Sequence, residues 1–436
     1  MLNLRSRWER IQSSLWFVPS LLVFGAVFLA VALVEIDASG EWTYLRDRYP
    51  LLFGAGAAGS RGMLAAIAGS MITVAGTAFS ITIVALSLAS TQYTSRILRN
   101  FMRDRANQVV LGVFLGIFVY CVVVLRTIRG GDEGAFVPSL AVLFGVMLAL
   151  VGIGCLIFFI HHIASSIQAE SIIKSAADET IGAIDRLFPA EMGEAAGPAV
   201  SPVPEPASAV WRPIPARETG YVQAVDSDGL LRLARERGAV VRMERGVGEF
   251  IVEGATLVAV AGGRPPDDGL TDALAGLYTV GRRRTTVQDA AFGVRQIVDI
   301  ALKALSPGIN DTTTAVTCVE YLSAVLARLA ARRLPDPYRA EGGTLRVIAR
   351  GPTFAGLLGE AFDQVRRNAE GNVAVLLALL DALEVVGGRT RDAGRLALIA
   401  RQVELIAEVA KRTVTSLPDR EGIEAALDRR KKREVK

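Results

Sequence analysis

Cysteine and histidine are scarce in this chain of 436 residues. Its three cysteines, Cys121, Cys155 and Cys318, form no close pair, so the sequence suggests neither a disulfide framework nor a cysteine zinc site. Both histidines, His161 and His162, are sequence neighbours on an expected helix. They therefore point about 100° apart and make poor joint metal ligands. With no histidine after His162, no nucleophile–histidine pair is available to the C-terminal half. A P-loop and a dinucleotide glycine fingerprint are also missing. These gaps argue against an enzyme and imply no cofactor. Basic clusters without interleaved aromatics argue against nucleic-acid binding.

Charge is missing from one long stretch. Between Arg61 and Arg96 the chain runs GMLAAIAGSMITVAGTAFSITIVALSLASTQYTS with no charged side chain. As a helix it is about 50 Å long, against about 30 Å of bilayer hydrocarbon. It should span the membrane and continue beyond it. Ser70, Thr73, Thr77, Ser80, Ser87, Thr91 and Thr94 follow steps of three and four, interrupted at Val84, with Thr82 off the stripe. Gly62, Gly69 and Gly76 recur beside it at seven. Two readings compete: a seam for close helix packing, or a pore lining turned to water in an oligomer. The stripe carries no acid or base within the membrane, so a proton relay is not indicated.

The chain as a whole is 51% hydrophobic, with mean hydropathy +0.38 and net charge +4, which points to a membrane protein with a soluble portion. Leu15–Ile36, Val109–Leu125 and Phe136–Ile160 are further spans of suitable length, the first read as a retained helix. Gly112 and Gly116 form a GxxxG pair, and Gly145, Ala149 and Gly152 form another small-residue edge. Arginines concentrate at the N-terminus (Arg5, Arg7, Arg10) and in the 96–105 loop, so both termini are expected in the cytoplasm.

The expected organisation is a four-helix transmembrane domain (1–162), a connecting helix (163–188) continuing the fourth span, and a Pro/Ala-rich linker (189–217). A small cytoplasmic α+β module (218–264) and a helical bundle with a basic tail (265–436) follow. In the module, TGYVQAVD, AVVRMER, GEFIVEG and TLVAVAGG read as strands, and GLLRLARERG as a helix closed by Gly238. GEFIVEGATLVAV is similar to the strands of biotinyl and lipoyl carriers, but holds no lysine to carry a prosthetic group. Expected helices in the last region are Asp268–Val280, Val287–Leu305, Asp311–Arg333, Phe354–Val386 and Arg391–Ser416, with Thr344–Arg350 as a lone strand.

The strongest candidate for chemistry runs from Arg282 to Ala315. Arg282, Arg283 and Arg284 form a positive patch suited to anionic lipid headgroups or a phosphate, or else a solvated basic edge. Arg295 and Asp299 stand at ion-pair spacing. Pro307, Gly308, Asn310 and Asp311 read as a helix–turn–helix corner capped by Asn310 or Asp311. With Asp289 or Asp299, the same corner has the oxygens for a cation.

FSITIVALSLASTQYTSRIL, TGYVQAVD and QDAAFGVRQIVDIALKALSPGINDTTTA together resemble the bacterial membrane proteins catalogued as domain of unknown function 2254. The likeness covers nearly the whole chain and implies a multi-pass inner-membrane protein with a cytoplasmic C-terminal region. It implies no reaction or ligand. The expected function is an oligomeric channel-like protein with a regulatory domain, or alternatively a non-conducting scaffold or envelope-stress sensor, with lipid and other copies of the chain as partners.

Overall fold

The computed structural model describes residues 16–39, 56–92, 104–130, 136–166, 168–188, 210–262, 265–341 and 344–434. The expected arginines at positions 5, 7, 10, 96, 99 and 103, and most of the Pro/Ala linker, lie outside them. The chain divides into two compact units, Met1–Ser171 and Ile172–Lys436.

The first unit holds four helices long and apolar enough to cross a membrane: α1 (Phe17–Ala38), α2 (Ala57–Gln92), α3 (Arg105–Thr127) and α4 (Ser139–Ser166). Helix α3 is the central one, with Phe114, Ile117, Tyr120, Cys121 and Val124 all buried. The glycines explain the close packing. A Cβ at Gly112 would stand 2.6 Å from Leu22 Cδ1 and 2.9 Å from Pro19 Cα, and Gly116 lies against Ala26. On α4, Gly145 receives Leu64 and Gly152 receives Met71 and Ile117. In a bilayer, apolar surface alone gives no reason for helices to associate, so such approaches carry the packing. Polar groups at the helix ends add ties: Asp37 accepts from Leu140 N and Ala141 N at the start of α4, and Tyr120 Oη donates to Ala141 O.

The connecting helix does not continue the fourth span. Helix α4 ends at Ser166 and α5 (Ala169–Leu187) is separate. Ser165 and Ser166 donate their hydroxyls to the carbonyls of His161 and His162 in the last turn of α4.

In the second unit, α5 buries Ile172, Ile173, Ala176, Ala177, Thr180, Ala183 and Ile184 on one face. It is followed by β1 (Arg212–Pro215), β2 (Gly220–Val225), α6 (Ser227–Glu236), β3 (Val240–Met243), β4 (Phe250–Ile251) and β5 (Thr256–Ala261). Gly238 closes α6 with φ +60°. The expected helix Asp268–Val280 is shorter: α7 (Asp268–Gly276) stops and β6 (Tyr278–Gly281) pairs antiparallel with β2. Gly276 ends the helix before a Tyr-Thr-Val run that suits a strand better.

Next come α8 (Ala290–Ala304), α9 (Thr312–Ala330), β7 (Tyr338–Glu341) and β8 (Thr344–Ile348). Strand β8 is not alone. It lies between β3, parallel, and β7, antiparallel, in a sheet ordered β1-β5-β3-β8-β7, while β4-β2-β6 form a second sheet. The sheets thus take strands from before residue 218 and after residue 264. Without β8, β3 would be an open edge. Pro213 and Pro215 suit β1 to its edge position.

The expected Phe354–Val386 helix is two, α10 (Phe354–Asn368) and α11 (Val373–Gly387). Gly371, at φ +73°, turns the chain, and Asn372 caps α11 by accepting from Val375 N. Helix α12 (Ala393–Thr413) follows, and the expected basic tail is a docked helix, α13 (Leu417–Glu434). Ile423, Ala426 and Arg430 are its buried face, with Arg430 paired to Asp381 and Glu384 of α11.

Candidate functional site

Helix α2 has two contrasting faces. Leu64, Ala68, Met71, Ala75, Ala78 and Ala85 are buried in the first unit. The opposite face carries Ser70, Thr73, Thr77, Ser80 and Ser87, all exposed. Thr91 lies in the last turn of α2, with its side chain outside the described residues. A Cβ on Gly62, Gly69 or Gly76 would meet nothing within 4 Å. Among the described residues, therefore, the small-residue face does not serve packing within one chain; α3 and α4 supply those glycines instead. The hydroxyls are satisfied locally: Ser70 donates to Ile67 O at 2.9 Å, Thr73 to Gly69 O at 2.8 Å, and Thr77 to Thr73 O at 3.0 Å. Such bonds remove the cost of placing a hydroxyl in apolar surroundings.

Within the arginine patch, Arg284 is engaged by the fold, whereas Arg282 and Arg283 are exposed. Arg284 is held by Asp289 through two hydrogen bonds of 2.8 and 3.0 Å, and its guanidinium lies 5.3 Å from the centre of the Phe292 ring. Asp289 is buried and also caps α8 through Phe292 N. Gly248, at φ +87°, sits on this pair, where a Cβ would stand 2.4 Å from Asp289 Oδ2. Arg282 and Arg283 remain exposed.

The corner at Pro307 and Gly308 is built for chain reversal. Asn310 takes φ +51°, and Asp311 caps α9 by accepting from Thr314 N and Thr314 Oγ1. The hydrogen bonds from Thr314 hold the Asp311 carboxyl below the usual carboxylate range. Each carboxylate of the cation reading has a protein partner: Asp289 pairs with Arg284, Asp299 with Arg295 at 2.7 Å, and Asp311 caps α9. Among the described residues, no group of three or more His, Cys, Asp or Glu is placed to hold a metal ion. Cys318 is fully buried, and burial pushes its thiol pKa up, away from reactivity.

Sequence reasoning missed one polar node. Asp104 caps α3 through Ala106 N and bonds His162 Nε2 near the end of α4. His162 stacks on Phe158, and Ser166 Oγ lies 3.5 Å from its Nε2. Asn107 and Gln108 are buried in the adjoining turn of α3. The partners lie 58 residues apart, so local spacing carries no signal of the pair.

These features describe a four-span apolar unit joined to a mixed sheet-and-helix unit. Residues 12–385 match the sequence model of the family described as "Predicted membrane protein (DUF2254)". The chain belongs to this family. It is 36% identical over 437 residues to Uncharacterized protein Mb1321c of Mycobacterium bovis and to Uncharacterized protein Rv1290c of Mycobacterium tuberculosis. Each alignment covers 98% of this chain and 82% of the relative. No solved structure matches the chain.

Proposed function

We propose that this membrane protein is the protomer of a homo-oligomer in which copies of α2 meet along the face bearing Gly62, Gly69, Gly76, Thr73, Thr77 and Ser80. The observation that carries the reading is that this face is small, uncharged and turned away from the packing of its own chain. Small residues let backbones approach closely, and that approach is what helix association in lipid requires. In the channel-like form the hydroxyls line a wet path, and the second unit regulates it from the cytoplasm of an inner-membrane protein, the side favoured by the arginine-rich segments. The exposed Arg282 and Arg283 are then offered to anionic headgroups.

A second reading, a non-conducting scaffold or stress sensor, is favoured by the hydroxyl bonds to the helix's own carbonyls, which let a seam pack dry. Two measurements on the full chain separate the readings. Thr77→Cys in lipid should form a disulfide between copies, and its absence in folded protein would end the oligomer proposal. In liposome flux assays, Thr77→Leu and Ser80→Leu should abolish conductance of a pore; a cross-linked oligomer that never conducts leaves the scaffold.

A further inference from the structure

Asn107 is 6% exposed, and both polar atoms of its side chain, Oδ1 and Nδ2, are buried with no hydrogen-bond partner among the described residues. A buried amide left in that state bears the full desolvation cost of its polar atoms, and native structures rarely retain one. A single group that satisfies both atoms has to accept from Nδ2 and donate to Oδ1. A carbonyl or an ammonium group does only one of these; water, a hydroxyl or another carboxamide does both, and of these water is the one that needs no further side chain.

The surroundings point the same way. Asp104 is the N-cap of α3 and Asn107 the third residue of its first turn, the position from which a side chain reaches back toward the cap over a short span. A single water making two bonds of about 2.8–3.0 Å bridges that span. Asp104 already holds the α3 cap with Oδ1 and His162 with Oδ2, and a carboxylate has lone pairs for a further donor. Ser166 Oγ adds a fourth polar group beside the imidazole.

We propose that the first turn of α3 is a hydrated site, in which bound water links the Asn107 carboxamide to the Asp104–His162 pair. The water completes a polar clasp between the start of α3 and the end of α4, just before α4 stops at Ser166. The hydrated site includes no residue of the outward face of α2, so it and the oligomer stand or fall separately.

The test uses the full chain in lipid nanodiscs. His161→Gln leaves His162 as the only histidine, so its imidazole signals can be assigned outright. Water-edited NMR should transfer magnetisation from bound water to the His162 ring and the Asn107 side-chain amide. Asn107→Leu should abolish the transfer to His162, shift its ring nitrogens and lower Tm. Asn107→Ser, which keeps a hydroxyl and leaves room for water, should retain the transfer. A dry site gives the opposite result: no transfer in the parent protein, and an Asn107→Leu variant with raised Tm, because an unpaired amide has been removed. Either of those two outcomes overturns the proposal.

Discussion

Among single residues, the buried pairs of the second unit should be the most sensitive. Asp289→Ala strands Arg284 beneath Gly248 and also removes the α8 cap. Arg284 keeps partial access to water, so the lost cap, about 0.5–2 kcal/mol, and the lost pair together should lower the Tm of the purified chain. Gly293 is a packing hotspot of another kind: a Cβ there would stand 2.1 Å from Thr180 Oγ1. Gly293→Ala should cost about 1–3 kcal/mol, as overpacking usually does, and Thr180→Ala in the same chain should recover part of it in thermal unfolding. Asp185 supplies a pH dependence. The hydrogen bond from Arg328, aided by its charge and that of Arg332, outweighs desolvation and holds the carboxyl below its usual range. A depressed folded-state value means the contribution is present above the unfolded pKa of about 3.9. It is lost as pH falls through the folded value. Melting curves from neutral to acidic pH should therefore show a drop that is smaller in Arg328→Gln.

Whole helices differ in which glycines they use. Those of α3 are committed inside the chain and those of α2 are not, and parallel substitutions separate the roles. Gly112→Leu must displace Leu22 or Pro19 and should unfold or rearrange the first unit in a detergent melt. Gly69→Leu meets open space and should leave the melt of the lone chain unchanged while suppressing the Thr77→Cys cross-link. Helix α13 rests on Ile423, Ala426 and Arg430. Burial lowers the pKa of this guanidinium, against the pull of Asp381 and Glu384. Arg430→Ala should speed tryptic cleavage within 417–434 without altering α11.

For the molecule as a whole, the four spans, the glycine edges of α3 and α4, the early strands and the Arg295–Asp299 pair were all legible in the sequence, because each depends on local period or spacing. The rest depends on partners far along the chain. TLRVIAR looks isolated until β3 is found beside it, and His162 looks idle until Asp104 is. The three arginines were equal in sequence, and only the fold singles out Arg284. Two further signals are local: the Gly371–Asn372 pair stops one helix and starts another, and the Ile423, Ala426 and Arg430 spacing marks one face of a helix.

The place of β8 in its sheet has a consequence for biosynthesis. The ribosome delivers β3 about 100 residues ahead of β8, a wait on the order of 5–20 s at ordinary elongation rates. Throughout that interval the nascent sheet lacks its inner neighbour, while the apolar spans ahead of it have already left the ribosome. A chaperone that shields a bare strand, or a pause that lengthens the wait, would act on the yield of this protein most strongly in that window.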